Sequence, residues 1–178
     1  MPWDGHPLNK SSRWAPNDAI YGEFFAAVEN GKIEDVKLCL ETHEININLF
    51  KGENFDGSNA LYIAAINRDA NMIELLLANG AKVAEFDTTI DGGDTALHQA
   101  AYAADVRAIR LLLDHGARVD LYDSVCENTP LLGVLYYHRH NDVIESKHRE
   151  AIKILIERGS DLFAVQGSTR DTVVTSLI

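Results

Sequence analysis

Apolar positions in this chain fall into short paired blocks. Residues 95–116 read TALHQAAYAADVRAIRLLLDHG. A polar residue starts the stretch, two helix-length apolar blocks follow, and a glycine closes it. The same arrangement precedes it at residues 59–80, NALYIAAINRDANMIELLLANG. The two align without a gap. Leu61 matches Leu97, Ala64-Ala65 matches Ala100-Ala101, Leu75-Leu76-Leu77 matches Leu111-Leu112-Leu113, and Gly80 matches Gly116, at a period of 36 residues. An earlier copy, FFAAVENGKIEDVKLCLE at 24–41, puts Phe24 at the leucine position. A later one opens at Thr129-Pro130-Leu131 and closes with ILIERGSDL, ending at Leu162. Residues 167–178 read as the first half of a fifth.

Each copy predicts two short helices. Thr95 and Thr129 are suited to cap the first, because a hydroxyl accepts a backbone N–H of the opening turn. Pro130 fits the first helical position, where its missing N–H costs nothing. The alanine pairs let neighbouring helices approach closely. A break is expected near Arg68 and Ala104. The leucine block forms the second helix, which ends at Gly80, Gly116 or Gly159, where a left-handed residue closes a helix without steric cost. A β-prone piece such as Ala81-Lys82-Val83 and a turn such as Asp91-Gly92-Gly93 lead into the next copy. One such unit cannot bury its apolar face alone, whereas stacked units can, which predicts a solenoid.

These residues resemble the ankyrin repeat family, whose pattern is roughly G-x-T-P-L-H-x-A-A, then L-L-L, then G-A-D. Gly93-Asp94-Thr95-Ala96-Leu97-His98-Gln99-Ala100-Ala101 follows the first half, and Leu111-Leu112-Leu113-Asp114-His115-Gly116-Ala117 the second. Asn59-Ala60-Leu61-Tyr62 and Thr129-Pro130-Leu131-Leu132 match in part. The resemblance implies an all-α ankyrin-repeat solenoid of helix-turn-helix units joined by β-hairpin loops. Repeats are expected at about 20–52, 53–88, 89–123 and 124–165, with an insertion near 138–148, a half repeat at 166–178, and an N-terminal extension or cap at 1–19. Tyr62 and Leu132 replace the family histidine, so the family's Thr–His hydrogen bond is expected only between Thr95 and His98, which makes His98 structural. The repeats are longer than the family's usual ~33 residues.

The resemblance also implies a binding module without catalysis, whose contact surface is the concave one. Its exposed first-helix positions map to Glu29 and Asn30, Ile66 and Asn67, Tyr102 and Ala103, and Tyr136 and Tyr137. Tyrosine suits an interface, with large apolar area and a polar tip. The alternative is that some of these rings pack between repeats. The hairpin segments add Glu53, Asp56, Glu85, Asp87, Asp91, Asp94, Asp120, Asp123 and Glu127, a rim that steers a basic partner or a solvated edge that blocks aggregation. Phe50, Phe55, Phe86 and Tyr122 lie among these acids and are contact candidates where exposed.

Charge sharpens the choice of partner. The 178-residue chain has a net charge of −11, and residues 17–137 hold 20 acidic against 8 basic side chains. Such a surface repels phosphate backbones, so a protein partner, if anything a basic one, is expected rather than nucleic acid. No apolar run approaches the roughly 20 residues of a membrane span, and nothing near the N-terminus resembles a signal peptide. With two unpatterned cysteines, Cys39 and Cys126, the expectation is a cytoplasmic monomer with no cofactor. His138, His140 and His148 in YYHRHNDVIESKHRE lack the accompanying ligands of a zinc site, so a loop or helix extension is the simpler reading. Trp3 and Trp14 are candidates for covering the first repeat. No nucleophile–base set or phosphate loop stands out. The expectation is a protein-binding module, with an inhibitor or immunity-type neutraliser of an enzyme or toxin as one form of it. A targeting or scaffold module of a longer protein, or a host-directed adaptor, is the alternative.

Overall fold

The computed structural model describes residues 19–51, 58–83, 94–123, 127–139, 145–165, 167 and 172, with the backbone alone at 136–139. Eight helices occur among the described residues: α1 (Ala19–Glu29), α2 (Ile33–Thr42), α3 (Ala60–Ile66), α4 (Ala70–Ala78), α5 (Ala96–Tyr102), α6 (Val106–Asp114), α7 (Pro130–Arg139) and α8 (Ser146–Glu157). They form four antiparallel pairs. First helices stack as α1, α3, α5, α7 and second helices as α2, α4, α6, α8. The all-α repeat solenoid implied by the apolar blocks is the observed architecture.

Local chemistry explains the helix ends. Asn59 Oδ1 accepts from Tyr62 N at 2.8 Å, and Thr129 Oγ1 accepts from Leu132 N at 3.3 Å. Asp69 Oδ1 takes the N–H groups of Asn71 and Met72, and Asp105 Oδ1 that of Ala108. Each cap satisfies donors that the first helical turn cannot. The break between paired helices is a left-handed residue, Gly31, Arg68 (φ 57°) or Ala104 (φ 49°). At Arg68 and Ala104 a non-glycine side chain bears the steric cost of that conformation. Gly80, Gly116 and Gly159, at φ 88–93°, close the second helices. The residue after each glycine donates back to the carbonyl of Leu76, Leu112 or Leu155.

Ala64, Ala65, Ala100 and Ala101 are buried, so the first helices lie against one another with little between them. Met72, Ile73, Leu76, Ile109, Leu112, Ile154 and Leu155 fill the layer between first and second helices. One expected strand is not formed, and the helix extension expected as one reading of the insertion is seen in part. Ala81-Lys82-Val83 is not a strand; among the described residues, antiparallel pairing is confined to single bridges, Phe50 with Asn59 and Val165 with Thr172. The extra residues of the fourth copy are partly taken up by helix, since α7 has 10 residues against 7 in α3 and α5, and α8 has 12 against 9 in α4 and α6.

Candidate protein-binding face

Ile66, Tyr102 and Tyr136 occupy the same register position in α3, α5 and α7. Ile66 is 49% exposed, on a helix whose Ala60, Leu61, Ile63, Ala64 and Ala65 are all buried. Asn67, which follows it, is exposed and donates through Nδ2 to the Glu29 carbonyl at 3.0 Å. Glu29 is also held, by an ion pair with Lys51. The start of this row is thus an apolar side chain set in a fixed polar frame.

Tyr102 is placed differently. Its ring lies over Gly133 of α7, where an added Cβ would overlap it. Its hydroxyl donates to Asp123 Oδ2 at 2.9 Å. Burial, then the Asp123 charge, pushes its pKa far above the usual phenol value. Tyr102 therefore packs between the third and fourth helix pairs, with part of its surface open, and Ala103 beside it is half-exposed. The side chains of Tyr136 and Tyr137 lie outside the described residues, although both positions belong to α7.

The acidic rim divides in the same way. Asp123 is buried; besides Tyr102 it holds the backbone N–H of Asn128 at 3.1 Å, while its own N–H donates to the Asn128 carbonyl. A carboxylate so engaged closes a turn and adds nothing to an outward-facing rim. Asp94, half-buried, accepts from Gln99 Nε2 at 2.8 Å, and Gln99 also reaches the Tyr62 hydroxyl. Tyr122 is exposed, whereas Phe50 is buried in the core and is no contact candidate. Phe55, Asp56, Asp91, Glu53, Glu85, Phe86 and Asp87 lie outside the described residues.

His98 is structural. Its Nδ1 accepts the Thr95 N–H at 3.1 Å and lies 2.9 Å from Thr95 Oγ1, and its Nε2 is 2.9 Å from the Leu121 carbonyl and 3.2 Å from that of Asn128. The backbone N–H donor at Nδ1 fixes the proton on Nε2, which donates to the two carbonyls. Burial lowers the His98 pKa, opposed by those carbonyls and by Asp123. Sequence reasoning found the Thr95–His98 pair but missed Asp123 and Gly133, which complete the joint. The paired spacing of Tyr102 with Gly133 is a signal only when both helices are already placed.

His148 is buried in the first turn of α8, while the side chains of His138 and His140 lie outside the described residues. Among the described residues, no three His, Cys, Asp or Glu side chains gather as a metal site. No helix among them is long and apolar enough to cross a membrane.

A family model, ankyrin repeats in three copies, matches residues 24–123. No curated protein matches the chain. Ankyrin repeats are generally protein–protein interaction modules and typically non-enzymatic. The match covers more than half of the 178 residues, from within α1 to beyond α6, and the chain belongs to the ankyrin repeat family.

Proposed function

We propose that this protein binds a protein partner through its first-helix row, centred on Ile66 and Asn67 and continuing over Ala103 and the open edge of Tyr102 to Tyr136 and Tyr137. Asp94 and Tyr122 border this row, and Phe55, Asp56 and Asp91, which lie outside the described residues, are proposed from the sequence as further rim contacts. The observation that carries this reading is Ile66, a half-exposed aliphatic in a row otherwise held by polar bonds. An apolar anchor inside a polar rim is the usual anatomy of a protein interface. The net charge of −11 favours a basic partner, drawn in faster at low salt. Bound to an enzyme or toxin, the same face would act as an inhibitor by covering the active site.

The test is affinity capture from a lysate of the source organism, with wild type and Ile66→Asp in parallel. Ile66 suits the experiment better than Tyr102, because Tyr102 also supports the fold. A protein captured by wild type and lost by an Ile66→Asp variant of unchanged melting supports the face. A partner held equally by both refutes it.

A further inference from the structure

The second-helix layer repeats one interface, and among the described residues that interface is left open on α8. Ile73 and Leu77 in α4, Ile109 and Leu113 in α6, and Ile152 and Ile156 in α8 share two register positions. The first four are buried. Ile152 is half-buried and Ile156 is 39% exposed. A third position behaves oppositely: Leu38 in α2 is 58% exposed, Leu75 and Leu111 are half-buried, and Ile154 is buried. In α2 the first two positions hold Val36, buried, and Leu40, half-buried; from this gradient we read the first two positions as the edge of the core turned towards the following repeat and the third as the edge turned towards the preceding one.

Ion pairs fix the same direction. Glu74 of α4 reaches Arg107 of α6 at 2.5 Å, and at the equivalent positions Arg110 of α6 reaches Glu150 of α8 at 3.0 Å. One turn further, Asp114 pairs with Arg158. On α8 the forward positions carry Lys153 for Arg110 and Glu157 for Asp114, both exposed and paired only with each other across one turn at 3.8 Å among the described residues. At Ile152, Lys153, Ile156 and Glu157 the outer face of α8 thus reproduces Ile109, Arg110, Leu113 and Asp114 of the α6 face to which α8 itself binds, while Arg149 stands where α6 has Val106.

The hairpin layer ends differently. Asn48 Oδ1 accepts from Lys82 N at 2.8 Å, and Asp120 Oδ1 from Asp161 N at 2.9 Å, each bond joining one repeat to the next. The equivalent residue of the last pair is Phe163, which is 74% exposed and has no acceptor to offer. In the first-helix layer Leu131, Leu132, Val134 and Leu135 of α7 are all buried. Among the described residues the open face is therefore one helix wide, bordered by the Phe163 ring.

We propose that the outer face of α8 is a second docking surface, separate from the first-helix row, that takes a single amphipathic helix of a partner protein. Continuity with the α6–α8 interface specifies its chemistry. It carries an acid facing Lys153, a base eight residues later facing Glu157, and an aliphatic midway against Ile152 and Ile156, the pattern of Glu150, Ile154 and Arg158 in α8. One helix, rather than a second copy of this chain, fits because a copy presents a face two helices wide.

The probe is a synthetic peptide of residues 145–159, titrated into the full chain and followed by amide NMR shifts. Saturable shifts confined to α8 and to residues 163–165 are expected. Lys153→Glu should weaken binding about three- to fivefold, as loss of an exposed charge pair does, and the same peptide with Glu150→Lys should restore it. Ile156→Asp should remove it. No saturable shifts at these residues, or binding indifferent to Lys153→Glu, overturns the proposal. So does self-association in sedimentation that Ile156→Asp abolishes, since a second copy would then be the occupant. Lys153 is exposed, so its variant tests the proposal even if Ile156→Asp disturbs α8.

Discussion

Substituting Gly133 by alanine sets two effects of known size against each other. Gly133 lies inside α7, where helix propensity alone favours alanine by about 1 kcal/mol. The new methyl group, however, falls on the Tyr102 ring, two atoms of which stand closer than a methyl carbon tolerates. The ring cannot step aside freely. Its backbone end is fixed in α5, and its hydroxyl is tied to Asp123. Keeping the ring in place overpacks the joint, at about 1–3 kcal/mol. Moving it breaks a hydrogen bond to a carboxylate, at about 1.5–3 kcal/mol. Either route outweighs the propensity gain, and a net loss of about 1–2 kcal/mol is expected, or a few degrees in Tm. Urea unfolding of wild type and Gly133→Ala, repeated in a Tyr102→Ala background, measures it. Without the ring, the same substitution should become stabilising by about 0.5–1 kcal/mol. Stabilisation in the wild-type background, or equal effects in both, would refute the packing of Tyr102 on Gly133.

Other consequences are as direct. His98 is neutral in the fold with a lowered pKa, so the unfolded chain binds more protons below about pH 6.5. Stability contributed by His98 should be complete above that pH and fall below it, by up to ~1.4 kcal/mol per pH unit, and a His98→Gln variant should lose that part of the slope in urea titrations. Removing the α4 cap with Asp69→Ala, which frees two N–H groups, should cost about 1 kcal/mol in the same assay. Arg68→Gly should raise Tm slightly, because relief of about 1–2 kcal/mol of left-handed strain exceeds the entropy glycine adds to the unfolded chain. Ile66→Asp should shift stability by no more than about 0.5 kcal/mol, which circular dichroism melting would verify before any binding experiment.

What could be read in the sequence was what a single copy carries. Thr95 and His98 are three residues apart, Gly80 and Gly116 each follow a leucine block directly, and the alanine pairs recur at one period. These local signals set helix ends, pairing and stacking. Signals split between copies were hidden. Nothing near Asp123 tells that its carboxylate turns inward to Tyr102 and Asn128, and in sequence it looks like the other acids of the rim. Tyr102 looks like Ile66 by register, yet Gly133, 31 positions away, makes room for the ring and draws it into the joint. Phe50 lies among acids in sequence but is buried, because it pairs with Asn59 at the start of the next copy. Ile152 and Ile156 repeat Ile109 and Leu113 so faithfully that only their place in the stack distinguishes a covered position from an open one.

Helix contacts in this protein run from each pair to its neighbours, α1 with α3, α3 with α5, α5 with α7, and likewise along the other layer. Such a body behaves mechanically as a short spring. Tension between its ends is carried in series, so every joint bears the same load and the softest gives first. Side chains tie every joint, through Asn67 to the Glu29 carbonyl and Gln99 to Tyr62, but at the joint of Tyr102 and Gly133 the ties, His98 to the Asn128 carbonyl and the Asn128 N–H to Asp123, are buried from water, which makes it the stiff coil. Strain imposed by a bound protein would therefore gather in the coils on either side of it, while the stiff coil keeps its curvature.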